Sequence, residues 1–405
     1  MTGLEETRAQ AARRFAELGF PTPREEEWRF TNVAPIAKLQ FAQASEAARS
    51  LAEPLLTPPV GGIRLVFVNG RYSPELSSRR LPNGIAAGPL RSANGTAGRH
   101  LARYARYDEH AFVAWNTASF TDGAFVEIPR GVVLDEPVEL LYLSAGTGQP
   151  VVSHPRTLVV AGPESQATVV EVYAGRGADY LTNAVTEIVA GDSAVVDHYR
   201  LQLEDHGAFH MATMQGQAGR DANLATCSIA LGGRLVRNDV NTVLEEGATA
   251  TVNGLYVISG AQHVDNHTVI DHARPHGTSY ELYKGILNGR SSAVFNGRII
   301  VRQDAQKIDS KQTNKNLVLS EDATINTKPE LRIFADDVRC THGATIGQLD
   351  RDAIFYLQSR GIAEDEARGL LTHAFARDII DRIRVKPLGA YLDALLWERL
   401  HDRRS

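Results

Sequence analysis

The chain of 405 residues is long enough for two or three compact units, and 43% hydrophobic with 22% charged residues excludes a disordered or fibrous protein. Lys and Arg total 43 against 48 Asp and Glu, a net charge of −5 that gives no reason to expect a nucleic-acid or anionic-membrane surface. Two cysteines cannot form a disulfide framework, no run of about 18 apolar residues occurs, and the charged start Met1–Gln10 lacks a signal-peptide core, so a soluble cytoplasmic protein is expected.

Residues 4–18 read as a helix, with Ala11, Ala12, Phe15 and Leu18 as its apolar stripe and Gly19 then Pro21 to end it. Pro21-Thr-Pro-Arg-Glu-Glu-Glu-Trp-Arg-Phe-Thr31 sets two prolines ahead of an acidic first turn and then Trp28 and Phe30, the pattern of a helix start with an aromatic anchor. Residues 31–95 mix short helices with a Val/Ile strand at Ile63–Asn69, so 1–95 is expected to be an α-rich N-terminal region.

From about Thr121 to Gly347 short Val/Ile/Thr/Tyr-rich runs alternate with Gly, Asn, Asp and Ser, which predicts a sandwich, barrel or solenoid. A small-residue corner followed by alanine recurs at Ala167, Ala194, Ala222 and Ala250, spaced 27, 28 and 28 residues apart. A period near 28 predicts the stacked coils of a parallel β-helix over 96–347, with these four alanines in register. Weaker instances at Ala293 and Ala323, after intervals of 43 and 30, break the rhythm and leave a looser β-sandwich as the alternative.

After Gly347 the period changes to 3.6. Asp350 is placed to cap a helix Arg351–Arg360 ended by Gly361, and a second helix is expected over Glu364–Val385. Pro387 would break it, with Leu388, Leu392, Leu395 and Leu396 on a third helix of a C-terminal helical domain, 348–405. Phe355, Tyr356, Tyr391 and Trp397 are aromatics that either pack within this domain or anchor a partner.

Motifs for nucleotide hydrolysis, dinucleotide binding, serine hydrolysis, zinc proteolysis and Cys-x-x-Cys chemistry do not occur. The run His263, His267, His272, His276 has spacings of 4, 5 and 4 that cannot all face one way on a strand, so these imidazoles are expected to fill corners and bond turns. Cys340-Thr341-His342 differs: on a strand its thiol and imidazole share a face about 7 Å apart at Cα. That pair suits a metal or iron–sulfur species, and an imidazole nearby can lower a thiol pKa. A buried, packing thiol is the alternative. Clusters usually take four protein ligands, and Cys227 lies 113 positions before Cys340, so a cluster would need ligands from a second chain.

The tract Asp336-Asp-Val-Arg-Cys-Thr-His-Gly-Ala-Thr-Ile-Gly-Gln-Leu-Asp-Arg-Asp-Ala-Ile-Phe-Tyr-Leu-Gln-Ser-Arg-Gly-Ile362 resembles the signature of the SufB/SufD family of iron–sulfur cluster assembly proteins, on its SufD side. Pro21–Thr31 and Ser310-Lys-Gln-Thr-Asn-Lys-Asn-Leu-Val-Leu-Ser320 are similar to further SufD segments. The resemblance implies a mainly β protein, a right-handed parallel β-helix flanked by helical regions. It implies a non-enzymatic subunit that pairs with SufB through the β-helix and docks the SufC ATPase on its C-terminal helices, or forms a homodimer when isolated. It implies no stably bound cofactor, but a transient cluster shared with SufB at an interface bearing His342 and, as a lesser candidate, Cys340. Phe355, Tyr356, Tyr391 and Trp397 would then be SufC-docking residues. Where SufB reads His-Glu-Ala-Thr this chain reads His342-Gly-Ala-Thr345, and Thr313–Ser320 has no cysteine where SufB carries its scaffold cysteine, which favours the accessory subunit. The rival readings are a β-helix enzyme acting on polysaccharide and an interaction scaffold without a metal role.

Overall fold

Each β-rich run ends in a corner that turns the chain and stacks the next run on the last. In the computed structural model Glu164, Ser193, Asp221, Gly247, His276 and Lys307 all take positive φ at one corner of successive coils, and the strand of the next coil starts just beyond each. The structure describes residues 2–43, 53–58, 60–81, 84–93, 95–145, 148–177 and 179–401; parts of the expected terminal regions, 44–52 and 402–405, lie outside them. Among the described residues the strands form an 11-stranded and a 10-stranded sheet, and through the solenoid consecutive strands alternate between them. Thr249–Ile258 lies in the smaller sheet, His263–His272 in the larger, and Thr278–Leu287 returns to pair in parallel with the first. The result is a parallel β-solenoid of about eight turns, mainly β, with helices at both ends. Strand pairing begins early, since Ile63–Val68 and Ala86–Pro89 already join the two sheets.

The four alanines do not share one row. Ala167 pairs with Val196, Val196 with Leu224, and Leu224 with Ala250, whereas Ala194 and Ala222 stand two positions earlier at the corner, in the row that Ala248 continues. All are buried and inward. Coil length explains the slip: Gln166 pairs with Val195, 29 residues on, and Val195 with Asn223, 28 on, but Asn223 pairs with Thr249, only 26 on. Equal spacing in sequence is therefore not equal register. Ala293 pairs with Val264 in the other sheet, and Ala323 precedes that sheet's last strand, which accounts for the interval of 43.

The N-terminal helix Thr2–Leu18 stacks Phe15 on Trp115 of the helix Ala111–Ser119, with ring centroids 5.3 Å apart. Pro21–Thr31 forms only a single 3-10 turn, Glu26–Trp28, because its side chains are committed to the outer face of the larger sheet. Trp28 lies 4.1 Å beneath the Arg237 guanidinium, Glu27 pairs with His267 and Arg298, and Thr31 Oγ1 donates to Asp265.

At the C-terminus Asp350 caps Arg351–Ser359 by accepting the amides of Asp352 and Ala353, and Gly361 follows at φ +86. The second helix spans Glu364–Ile380 and stops short of Val385 because the Arg384 amide donates to Tyr199 Oη and its guanidinium pairs with Asp197 on the smaller sheet. Pro387 does not end that helix. It is the second residue of the third, Lys386–His401, where a missing amide costs nothing. Ala376, Ile379, Ile380, Leu388, Leu392 and Leu396 bury against Tyr199, Leu201, Cys227, Ile229 and Leu255 on the smaller sheet. Cys227 is thus packing, its thiol pushed up to about 12 by burial. No described helix is long and apolar enough to cross a membrane.

Candidate functional site

The last coil has nothing stacked on it. Thr324–Ile333 ends the larger sheet and Val338–Gly347 the smaller, each paired on one side only among the described residues. A terminal coil of this kind leaves backbone donors and acceptors unpaired and half of a core uncovered. Ile346 makes the point: it continues the inward row of Tyr256, Gly285 and Asn316, yet is 54% exposed because no further coil covers it. Ile333 and Phe334 are exposed at the same end.

Cys340 and His342 lie on this terminal strand, two residues apart and on its inward side, in register over Ser310 and Gln312. His342 is exposed, while Cys340 is half-buried against the cluster of Ile299, Val301, Ala305 and Ile308. The neighbouring imidazole does not lower the thiol pKa here. Burial raises it, and the Asp309 carboxylate adds to the rise, so the group is a thiol at neutral pH.

Two polar rows run inward from these residues. Beneath Cys340, Ser310 Oγ and Ser279 Oγ lie 2.7 Å apart, and His272 Nε2 is 3.0 Å from Ser279 Oγ; burial holds His272 down to about 4, hence neutral. Beneath His342, Gln312 Nε2 donates to Glu281 Oε2 at 2.7 Å. Burial pushes Glu281 up to about 7, with the nearby polar side chains of Thr268 and Gln312 opposing it. Gly297 on the opposite sheet makes room, since a Cβ there would lie 2.3 Å from Gln312 Nε2. Nothing in the sequence marks Glu281, and Ser310 and Gln312 stand out only as members of the segment Ser310–Ser320, with no role of their own. The alternation of Ser310, Gln312, Asn314 and Asn316 with Lys311, Thr313 and Lys315 was the available signal, but polar residues on both faces hide which face is inward.

The histidine run divides as its spacing requires. His263 and His267 face outward, bonding Thr31 and Ser292, and Asp265 and Glu27; His272 faces inward, and His276 is a corner. Among the described residues no three His, Cys, Asp or Glu side chains are grouped to hold a metal ion. Of the C-terminal aromatics, Phe355 and Tyr356 are 71% and 58% exposed, and Trp397 is exposed with its ring edge-on to His373. Tyr391 is half-buried and packs against the apolar layer over the smaller sheet.

Two family models match the chain: the SufBD protein N-terminal region over residues 1–140, and the SUF system FeS cluster assembly SufBD core domain over 142–375. The chain is 37% identical over 401 residues to an iron–sulfur cluster assembly SufBD family protein of Synechocystis, covering 95% of this chain and 88% of that protein. It is 30% identical to the iron–sulfur cluster assembly protein SufD of Escherichia coli, covering 96% and 92%, and 26% identical to that of Bacillus subtilis, covering 98% and 94%.

Proposed function

The chain belongs to the SufBD family, whose members act in iron–sulfur cluster assembly, and from that premise we propose that it is the SufD-type subunit of a Suf complex with a SufB-type chain and a SufC-type ATPase. The observation that carries this reading is the open last coil with His342 exposed on it. A SufB-type β-helix pairs with that coil and brings the remaining ligands, so the nascent cluster is cargo held between two chains rather than a resident cofactor. His342 supplies a ring nitrogen to it. Cys340 is the weaker donor, because a thiol whose pKa is raised must first lose its proton to ligate. The chain does no bond-breaking chemistry of its own; ATP hydrolysis belongs to the SufC-type partner. Isolated, it pairs with a second copy at the same edge. Both cysteines are free, which suits the reducing cytoplasm.

The test is to reconstitute the three-chain complex anaerobically with iron and sulfide. His342→Ala is expected to assemble with an unchanged thermal midpoint and to retain less than about a tenth of the cluster, with a milder loss for Cys340→Ala. Normal cluster content in the His342→Ala complex would refute the role.

Docking of the ATPase is assigned to the exposed face of Arg351–Ser359. Removing the whole C-terminal domain would strip the apolar cover from the smaller sheet, so point variants are the better probe. Phe355→Ala with Tyr356→Ala should weaken ATPase binding by roughly tenfold or more, measured by calorimetry, and leave the melting point alone because both side chains are exposed. Wild-type affinity in the double variant would move the dock elsewhere.

A further inference from the structure

In the inward row that ends at His342, Val252 gives way to Glu281, Gln312 and His342 on three successive coils. Gln312 is 2% exposed, its Nε2 is committed to Glu281, and its Oε1 is buried with no hydrogen-bond partner. An orphaned carbonyl in a dry interior is costly and calls for a donor. A carboxamide is planar, with N and O on opposite sides of the Cγ–Cδ axis. Turning Nε2 to the coil below therefore turns Oε1 to the coil above, where His342 is the next residue of the row. Gly297 keeps the opposite sheet clear of this amide.

We propose that Gln312, oriented by Glu281, is a positioning residue for His342: its carbonyl accepts one ring N–H, fixes the neutral tautomer and directs the other nitrogen's lone pair out of the open end. This rests on the reading of His342 given above. An exposed imidazole otherwise samples both tautomers and several rotamers, and a second hydrogen bond is what fixes a ligating histidine. Glu281 supplies the direction. Above about pH 7 its carboxylate can only accept, so the amide of Gln312 has one orientation that satisfies it.

The test uses the full chain with ring-15N histidine at pH 8, the His342 signals being those absent from His342→Ala. The wild type is expected to show one His342 tautomer at tenfold or greater excess. Gln312→Met, similar in length but without an acceptor, and Glu281→Gln, similar in shape but able to donate, should each give a mixture while the other histidine signals stay in place. In the reconstituted complex Gln312→Met should lose cluster by several-fold. An unchanged His342 tautomer ratio in Gln312→Met overturns the proposal, and an unchanged ratio in Glu281→Gln overturns the part given to Glu281. A shifted ratio with normal cluster content in both Gln312→Met and His342→Ala would uphold the positioning and reject the role of His342 in assembly.

Discussion

Glu187→Ala is expected to cost the fold about 4 kcal/mol, enough to unfold a marginal domain. Glu187 and Arg156 pair at 2.6 Å on the larger sheet with both side chains fully buried. The same carboxylate accepts the amides of Ala102, Tyr104 and Ala105, and Arg156 Nη1 donates to Asn116 and Thr117. Glu187 therefore ties the 102–105 turn to the solenoid directly and the helix Ala111–Ser119 through Arg156. Its removal strands a buried guanidinium and three amides with no water to replace the acceptor, and an unpaired buried charge is the costly case. Urea unfolding of the variant measures the loss. A change below about 1 kcal/mol would mean that water reaches Arg156 and that this node is not buried in solution.

Ile346→Lys should weaken end-to-end pairing by about a hundredfold. Ile346 is an inward residue of the terminal coil, exposed in the chain alone, where the proposed partner coil would cover it. On pairing, a lysine there would be buried with no carboxylate in its row: Tyr256, Gly285 and Asn316 lie beneath it. The isolated chain should keep its stability within about 0.5 kcal/mol, because the side chain is in water before association. Sedimentation of the variant alone and with a SufB-type chain checks both statements. Wild-type association would place the interface away from this coil.

The two predictions draw on different parts of the sequence signal. Glu187 was not legible as a node, since its partners lie 31 residues before it, at Arg156, and more than 80 before it, in the 102–105 turn. The terminal edge was legible, because Cys340-Thr341-His342 sits where the β-repeat ends and helical periodicity begins.

By itself the sequence determined what is decided within a few residues. The corners at Ser193, Asp221 and Gly247 and the small residues after them impose coils, and Asp350 with Gly361 bounds a helix through bonds no more than a turn long. Matching residues over the tract 336–362 likewise carried the family. Tertiary structure alone decided the rest. Coils of 29, 28 and 26 residues put nearly evenly spaced alanines into two rows, and the outer face of a sheet turned an expected helix start at Glu26–Trp28 into a strap. The interior received Gln312 although Lys311 and Thr313 beside it are as polar, and Glu281 although Tyr280 and Leu282 beside it are less polar. The physical reason is common to all three. A strand's period of two says that alternate residues face together, but which set faces inward, and what stands above and below it, is fixed by the coils stacked on either side.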